Sequence, residues 1–175
     1  EIIMRLLRIK LILLLMFVAV ISSGFALKTP DTTNELLDVR YGELTKETQK
    51  QIDCLAENIY HEARSESVDG MKAVAFVTLN RTQDERFPKS ICSVVKQKRT
   101  GICQFSWFCS PVKVNKDSEG YKGAMDVALY VYANYEKLYD LTKGALYYHA
   151  DYVNPGWKLK KTTKIGRHIF YKEVI

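Results

Sequence analysis

The sequence holds little from which to build a metal centre: three histidines and four cysteines in 175 residues, with no CxxC pair among them. His61-Glu62 begins like half of a zinc-protease HExxH signature, which works by setting two imidazoles on one face of a helix. Position 65 is Ser65, so the signature fails at its decisive residue, and no metal or other cofactor is expected. No stripe of Lys and Arg with interleaved aromatics marks a helical face, so nucleic acid is not an expected partner. There is no internal repeat or low-complexity tract, and the length suits one domain with a proper core. The apolar run LILLLMFVAVI (11–21) is too short to span a bilayer comfortably as a stable anchor.

That run has another use. Arg5, Arg8 and Lys10 precede it and SSGFALKTP follows, which makes a secretory signal with Gly24 and Ala26 at the minus-three and minus-one positions. Glu1, Ile2 and Ile3 precede Met4 and are left out of this reading. Residues 1–26 are therefore expected to be a signal peptide cleaved before Leu27, with export to the periplasm or beyond; an uncleaved signal anchor in the inner membrane is the alternative. No cysteine lies near the cleavage point, which argues against a lipoprotein. Removing these residues leaves 23 basic against 19 acidic, a net charge of +4. Mild basicity suits an anionic partner such as a cell wall, without deciding for one. Cys54, Cys92, Cys103 and Cys109, an even number in an exported chain, are expected to form two disulfides. Three connectivities are open; the crowding of the last three cysteines motivates Cys92–Cys109 with Cys54–Cys103.

Residues 27–44 lack a clear period and read as a tether, with the domain proper at 45–175. Thr45 is a suitable N-cap with Glu47 in the first turn, and Ile52, Leu55, Ala56, Ile59 and Ala63 recur at helical spacing. Glu62 falls beside Leu55 at the edge of this apolar stripe, so it faces the protein body. Partial desolvation raises the pKa of a carboxyl and suits a general acid; the plainer reading is a buried glutamate paired with Arg64 or another base. MKAVAFVTLNR (71–81) is apolar on nearly all sides and predicts a central, buried helix. A short helix is expected around SICSVVKQ. KRTGICQFSWFCSP (98–111) has no period, and its aromatics are either stacking faces for sugars or a plug in the core. Residues 119–140 predict another helix. GALYYHADYVNPGW and TTKIGRHIFYK are rich in β-branched and aromatic residues and predict short strands. The fold class is α+β, mostly helical with a small C-terminal β element.

The ordered blocks IYHEARSESVDGMKAVAFVTLNR, RFPKSICSVVKQ, CQFSWFC, GALYYHADYVNPGW and KIGRHIFY resemble the cell-wall hydrolases of the spore cortex-lytic, SleB-like type, across about residues 50–172. The resemblance implies a lysozyme-like, largely helical domain that cleaves the glycan strands of peptidoglycan, with Glu62 as the catalytic acid. Ser65 departs from the glycine common in the family's EARGE block but leaves the glutamate untouched. A single-glutamate lytic transglycosylase is implied, acting as a monomer on peptidoglycan, its groove lined by Gln104, Ser106 and Trp107 with Tyr148 on the opposite wall. Cleavage by water remains an alternative, as does a role for Glu66, one turn beyond Glu62 if the helix continues. Two rivals come from other classes: a wall-binding module without catalysis, and a Cys/His peptidase using a cysteine with His149 or His168.

Overall fold

Thr45 starts the helix of residues 46–63 by accepting a hydrogen bond from the Thr48 amide, and Glu47 places negative charge in its first turn. In the computed structural model, residues 41–174 are described. The signal segment, its cleavage point and most of the tether lie outside the described residues. The end of the tether stretch is held by helix α1 (Lys46–Ala63): Tyr41 donates to Asp53 at 2.6 Å, and the Gln49 amide donates to the Tyr41 and Leu44 carbonyls.

Helix α2 (Val68–Gln83) follows after a short turn and explains its own composition. One side packs with α1, the short helix α3 (Ile91–Val95) and the long helix α5 (Glu119–Asn134), in a core that includes Ile52, Leu55, Ile59, Val74, Leu79 and Val131. The other side meets Ala145 and Phe170 through Ala73 and Val77. A helix covered on both sides needs apolar residues all round. Each large side chain fully buried this way contributes about 1.5–3 kcal/mol.

The segment 98–111, in which no regular structure is expected, contains a hairpin of β1 (Lys98–Arg99) and β2 (Ile102–Cys103), then the one-turn helix α4 (Ser106–Cys109). Its two-residue turn, Thr100-Gly101, has both φ angles positive, at 50° and 82°. Such turns match the twist of the flanking strands, and they are too short to leave a periodic signal.

The C-terminal strands β3 (Tyr147–Ala150), β4 (Lys160–Ile165) and β5 (His168–Lys172) form an antiparallel sheet in the order β3-β5-β4. Tyr148 pairs with Phe170 and Tyr147 with Tyr171, so the first pair faces α2 and the second faces away. Two residues at the end of α2 fix this sheet. Asn80 donates to Asp140 and to the Ala145 carbonyl, and Arg81 Nε donates to the Leu146 carbonyl at 2.8 Å.

Both disulfides are present, but the expected pairing is wrong. The bridges are Cys54–Cys92, which staples α1 to α3, and Cys103–Cys109, which closes the loop over α4. Helix packing across a separation of 38 residues sets the first, and a local turn with a separation of 6 sets the second. Neither cause is visible as crowding in the sequence.

The turn between β4 and β5 supplies a test of local geometry. Gly166 has φ +54°, and a Cβ there would run into the Glu66 carboxylate. Gly166→Ala is expected to lose about 1–2 kcal/mol in urea denaturation, since a left-handed residue with a Cβ is disfavoured by that much. Gly123→Ala, in the interior of α5 with open space around it, should instead gain about 0.5–1 kcal/mol.

Candidate active site

Helix α1 ends at Ala63, so Glu62 sits in its last turn with the carboxylate turned inward. Its Oε2 accepts a hydrogen bond from the Tyr148 hydroxyl at 3.1 Å. Burial pushes the Glu62 pKa up, and this outweighs two opposing effects: the Tyr148 hydrogen bond and the charge of Arg81. The negative end of the α1 dipole further disfavours a carboxylate at this position. A protonated carboxyl above its ordinary range, with partners ready to stabilise the ion once the proton leaves, can both give and retake a proton.

Arg81 was not singled out by sequence reasoning. Its residue is 2% exposed. The guanidinium lies between the rings of Phe87 and Phe105, 5.3 Å and 5.4 Å from their centroids, while Nη1 has no hydrogen-bond partner. A cation buried between aromatic faces keeps its charge in low dielectric, where that charge reaches further than in water. One signal was available: an ionisable residue at the end of an all-round apolar helix must find compensation indoors.

His61, left without a role once zinc is set aside, stacks on Trp107 with centroids 4.4 Å apart and planes 14° from parallel. This contact packs the QFSW segment against the last turn of α1, the turn that also carries Glu62. Burial, followed by the charge of Arg64, lowers the His61 pKa and favours the neutral ring that stacks there. Trp107 is half-buried and one of its faces is taken by His61. Gln104 and Ser106 are exposed on either side of the buried Phe105. Among the described residues, neither side chain is hydrogen-bonded to Glu62. Tyr148 bonds to the carboxylate itself and also packs edge-on against His168 at 5.2 Å.

Geometry excludes Arg64 and Glu66 as close partners of Glu62, while the charge of another base, Arg81, does reach it. Arg64, the plain partner for a buried Glu62, lies exposed over the Tyr60 ring at 4.9 Å and donates to the Tyr60 carbonyl. Glu66 does not share Glu62's helical face, because Ser67 caps a new helix and Glu66 falls in the turn between the two. Its carboxylate accepts from the Arg167 amide at 3.2 Å and so anchors the β4–β5 turn. The cysteine-peptidase reading ends with the disulfides, since no cysteine among the described residues is free. A concavity of about 540 Å³ lies elsewhere, between α1, α2 and the end of α5, lined by residues such as Gln51, Thr82 and Tyr132. None of the Glu62 constellation borders it, and it carries no comparable cluster of shifted groups.

Known proteins similar to this chain place it in a family. Curated relatives include the spore cortex-lytic enzyme of Bacillus cereus, 30% identical over 134 residues, covering 71% of this chain and 45% of the relative. That of Oceanobacillus iheyensis is 30% identical over 130 residues, covering 71% and 42%. The chain thus spans less than half the length of these relatives. Among solved structures, the catalytic domain of the germination-specific lytic transglycosylase SleB from Bacillus anthracis is similar with a TM-score of 0.55 and 30% identity, covering 71% of this chain and 95% of that one. The catalytic domain of the Bacillus cereus SleB protein gives 0.53 and 30%, covering 71% and 91%. The likeness carries the expected fold class, a mostly helical, lysozyme-like α+β domain. Residues 65–171 match the Hydrolase_2 family, described as Cell Wall Hydrolase; Glu62 lies just before the matched span. By that match, the chain belongs to the cell wall hydrolase family.

Proposed function

We propose that this protein cleaves the glycan strands of peptidoglycan as a lytic transglycosylase with Glu62 as its one catalytic carboxyl. The observation that carries the reading is the inward Glu62 carboxyl held by the buried Tyr148 hydroxyl, in a chain similar to solved lytic transglycosylase catalytic domains. Neutral Glu62 gives its proton to the glycosidic oxygen as the bond from that oxygen to the anomeric carbon of muramic acid breaks. The muramic 6-hydroxyl then attacks the same carbon and returns its proton to Glu62. One C–O bond is exchanged for another, no water is consumed, and the carboxyl is restored. Between the two transfers, the Tyr148 hydroxyl and the Arg81 charge stabilise the carboxylate.

Gln104, Ser106 and Trp107 line the sugar-binding side, where exposed amide and hydroxyl groups hydrogen-bond the uncharged hydroxyl and acetamido groups of the glycan. The protein acts as a monomer after export, with residues 1–26 removed, and the two disulfides suit an oxidising compartment. Among the described residues no helix is long and apolar enough to cross a membrane. Incubation of the purified domain with sacculi should release soluble muropeptides. Binding without release would favour the non-catalytic wall-binding module.

The Tyr148 bond makes a separate prediction about pH. The hydrogen bond favours the ionised carboxyl, so its loss raises the Glu62 pKa further. Tyr148→Phe should therefore slow turnover, and it should move the basic limb of kcat/KM, where Glu62 loses its proton, to higher pH. A basic limb that stays in place or moves to lower pH contradicts the assigned contact.

A further inference from the structure

The outer face of the C-terminal sheet carries an aromatic cluster that the proposed mechanism does not use. Tyr147, His149 and Tyr171 point away from α2, on the opposite side of β3 from Tyr148 and Glu62. His149 stacks on Tyr171 with centroids 5.2 Å apart, and its Nε2 lies 3.0 Å from the Tyr171 hydroxyl. Trp157, from the loop between β3 and β4, stands edge-on to all three rings at 5.5–6.0 Å. These contacts fix the indole, yet Trp157 remains 42% exposed, and its loop also exposes Tyr152 (76%) and Val153 (45%). Rigid aromatic surface left open to water is the usual mark of a binding surface and not of a core.

The charge around it is mainly positive, and Glu173, which accepts from the Tyr147 hydroxyl at 2.9 Å, is itself paired with Arg86 at 2.9 Å. From Tyr152 to Lys172 there are six basic residues and no acidic one. Lys161 is the cross-strand partner of Tyr171 and stands on the same face, while Lys158 adjoins Trp157 and is exposed. Lys164 is already paired with Asp151 at 2.8 Å. A fixed ring face flanked by unpaired ammonium groups fits a polymer of sugars that carries carboxylates at regular intervals.

We propose that this face is a second docking surface for peptidoglycan, seating a sugar ring on Trp157 and stem-peptide or lactyl carboxylates on Lys158 and Lys161. It holds the insoluble wall while Glu62, on the other side of β3, works on a strand. The proposal rests on the substrate reading above and deepens it.

The test separates docking from cleavage. Trp157→Ala with Lys161→Ala should lower activity on intact sacculi by about tenfold, the loss of one stacked ring and one charge contact. Activity on short soluble glycan fragments should be unchanged. Lys158→Glu with Lys161→Glu, which leaves the rings in place, should give the same split and guards against a folding defect in the tryptophan variant. Co-sedimentation of Glu62→Gln protein with sacculi should weaken in parallel, and more so as salt rises. Equal losses on sacculi and fragments, or no loss on either, would overturn the proposal. So would binding that vanishes when sacculi are stripped of accessory anionic polymers with hydrofluoric acid, since the occupant would then be that polymer. If the unaltered protein cleaved neither substrate, the functional reading would fail, while co-sedimentation would still decide for or against the surface.

Discussion

Glu62→Gln is expected to lower the rate of wall digestion by about 10²–10⁴-fold, the usual worth of a positioned general acid. The amide keeps the size of the side chain and can still accept from Tyr148, but it has no proton of the required acidity to give. The same substitution should leave the fold intact or strengthen it. Burial raises the Glu62 pKa above its unfolded value, so folding favours the neutral form. That contribution is full below the unfolded carboxyl range near about pH 4.3 and is lost as pH rises through the folded value. Glutamine never ionises and does not lose it. Thermal melts at pH 7 should therefore place Glu62→Gln at or above the unaltered protein, with the two converging at acid pH. An inactive variant that melts well below the parent at pH 7 would show a folding defect in place of a missing acid. Glu66→Gln supplies the contrast: its side chain holds the Arg167 amide in the β4–β5 turn, so it should affect stability more than turnover.

Removing the Cys54–Cys92 bridge should be the largest stability loss available from covalent change. It closes a loop of 38 residues between α1 and α3, and constraint of the unfolded chain on that scale contributes about 4 kcal/mol. The Cys103–Cys109 bridge closes a loop of only 6, for which the same relation gives about 2 kcal/mol. Urea denaturation of the two paired Cys→Ala variants should show this order. Activity should show the reverse emphasis, because the short loop carries Trp107, proposed above for the sugar-binding side and stacked on His61 in the last turn of α1. Equal stability losses, or a larger loss from the short loop, would contradict the role assigned to each bridge.

Much of the helical part was legible because its causes are local. The Thr45 cap and the recurrence of Ile52, Leu55, Ala56 and Ile59 define α1, and all four of these apolar side chains are buried. The all-round apolarity of 71–81 announced a helix covered on both sides, which the bundle and the Phe170 side of the sheet supply. Contacts between distant segments were not legible. Tyr148 was expected on a wall of the Glu62 groove, but its direct bond to the carboxylate, across 86 positions, has no local signal. The Cys54–Cys92 pairing depends on how α3 docks on α1, for which no local pattern exists. The place of Glu66 hung on whether α1 continued past Glu62. The helix stops at Ala63, and the signal for that stop was Ser67, which caps the next one.

The central claim is that Glu62 gives its proton to the leaving oxygen and regains one from the sugar's own hydroxyl as that hydroxyl closes the ring. Mass analysis of fragments released from purified peptidoglycan tests it most directly. The account predicts 1,6-anhydro-muramic ends, each lighter by one water than a hydrolytic end, from the unaltered protein and almost none from Glu62→Gln. Fragments that retain the water would refute the transglycosylase step, and unimpaired release by Glu62→Gln would contradict the account at its root.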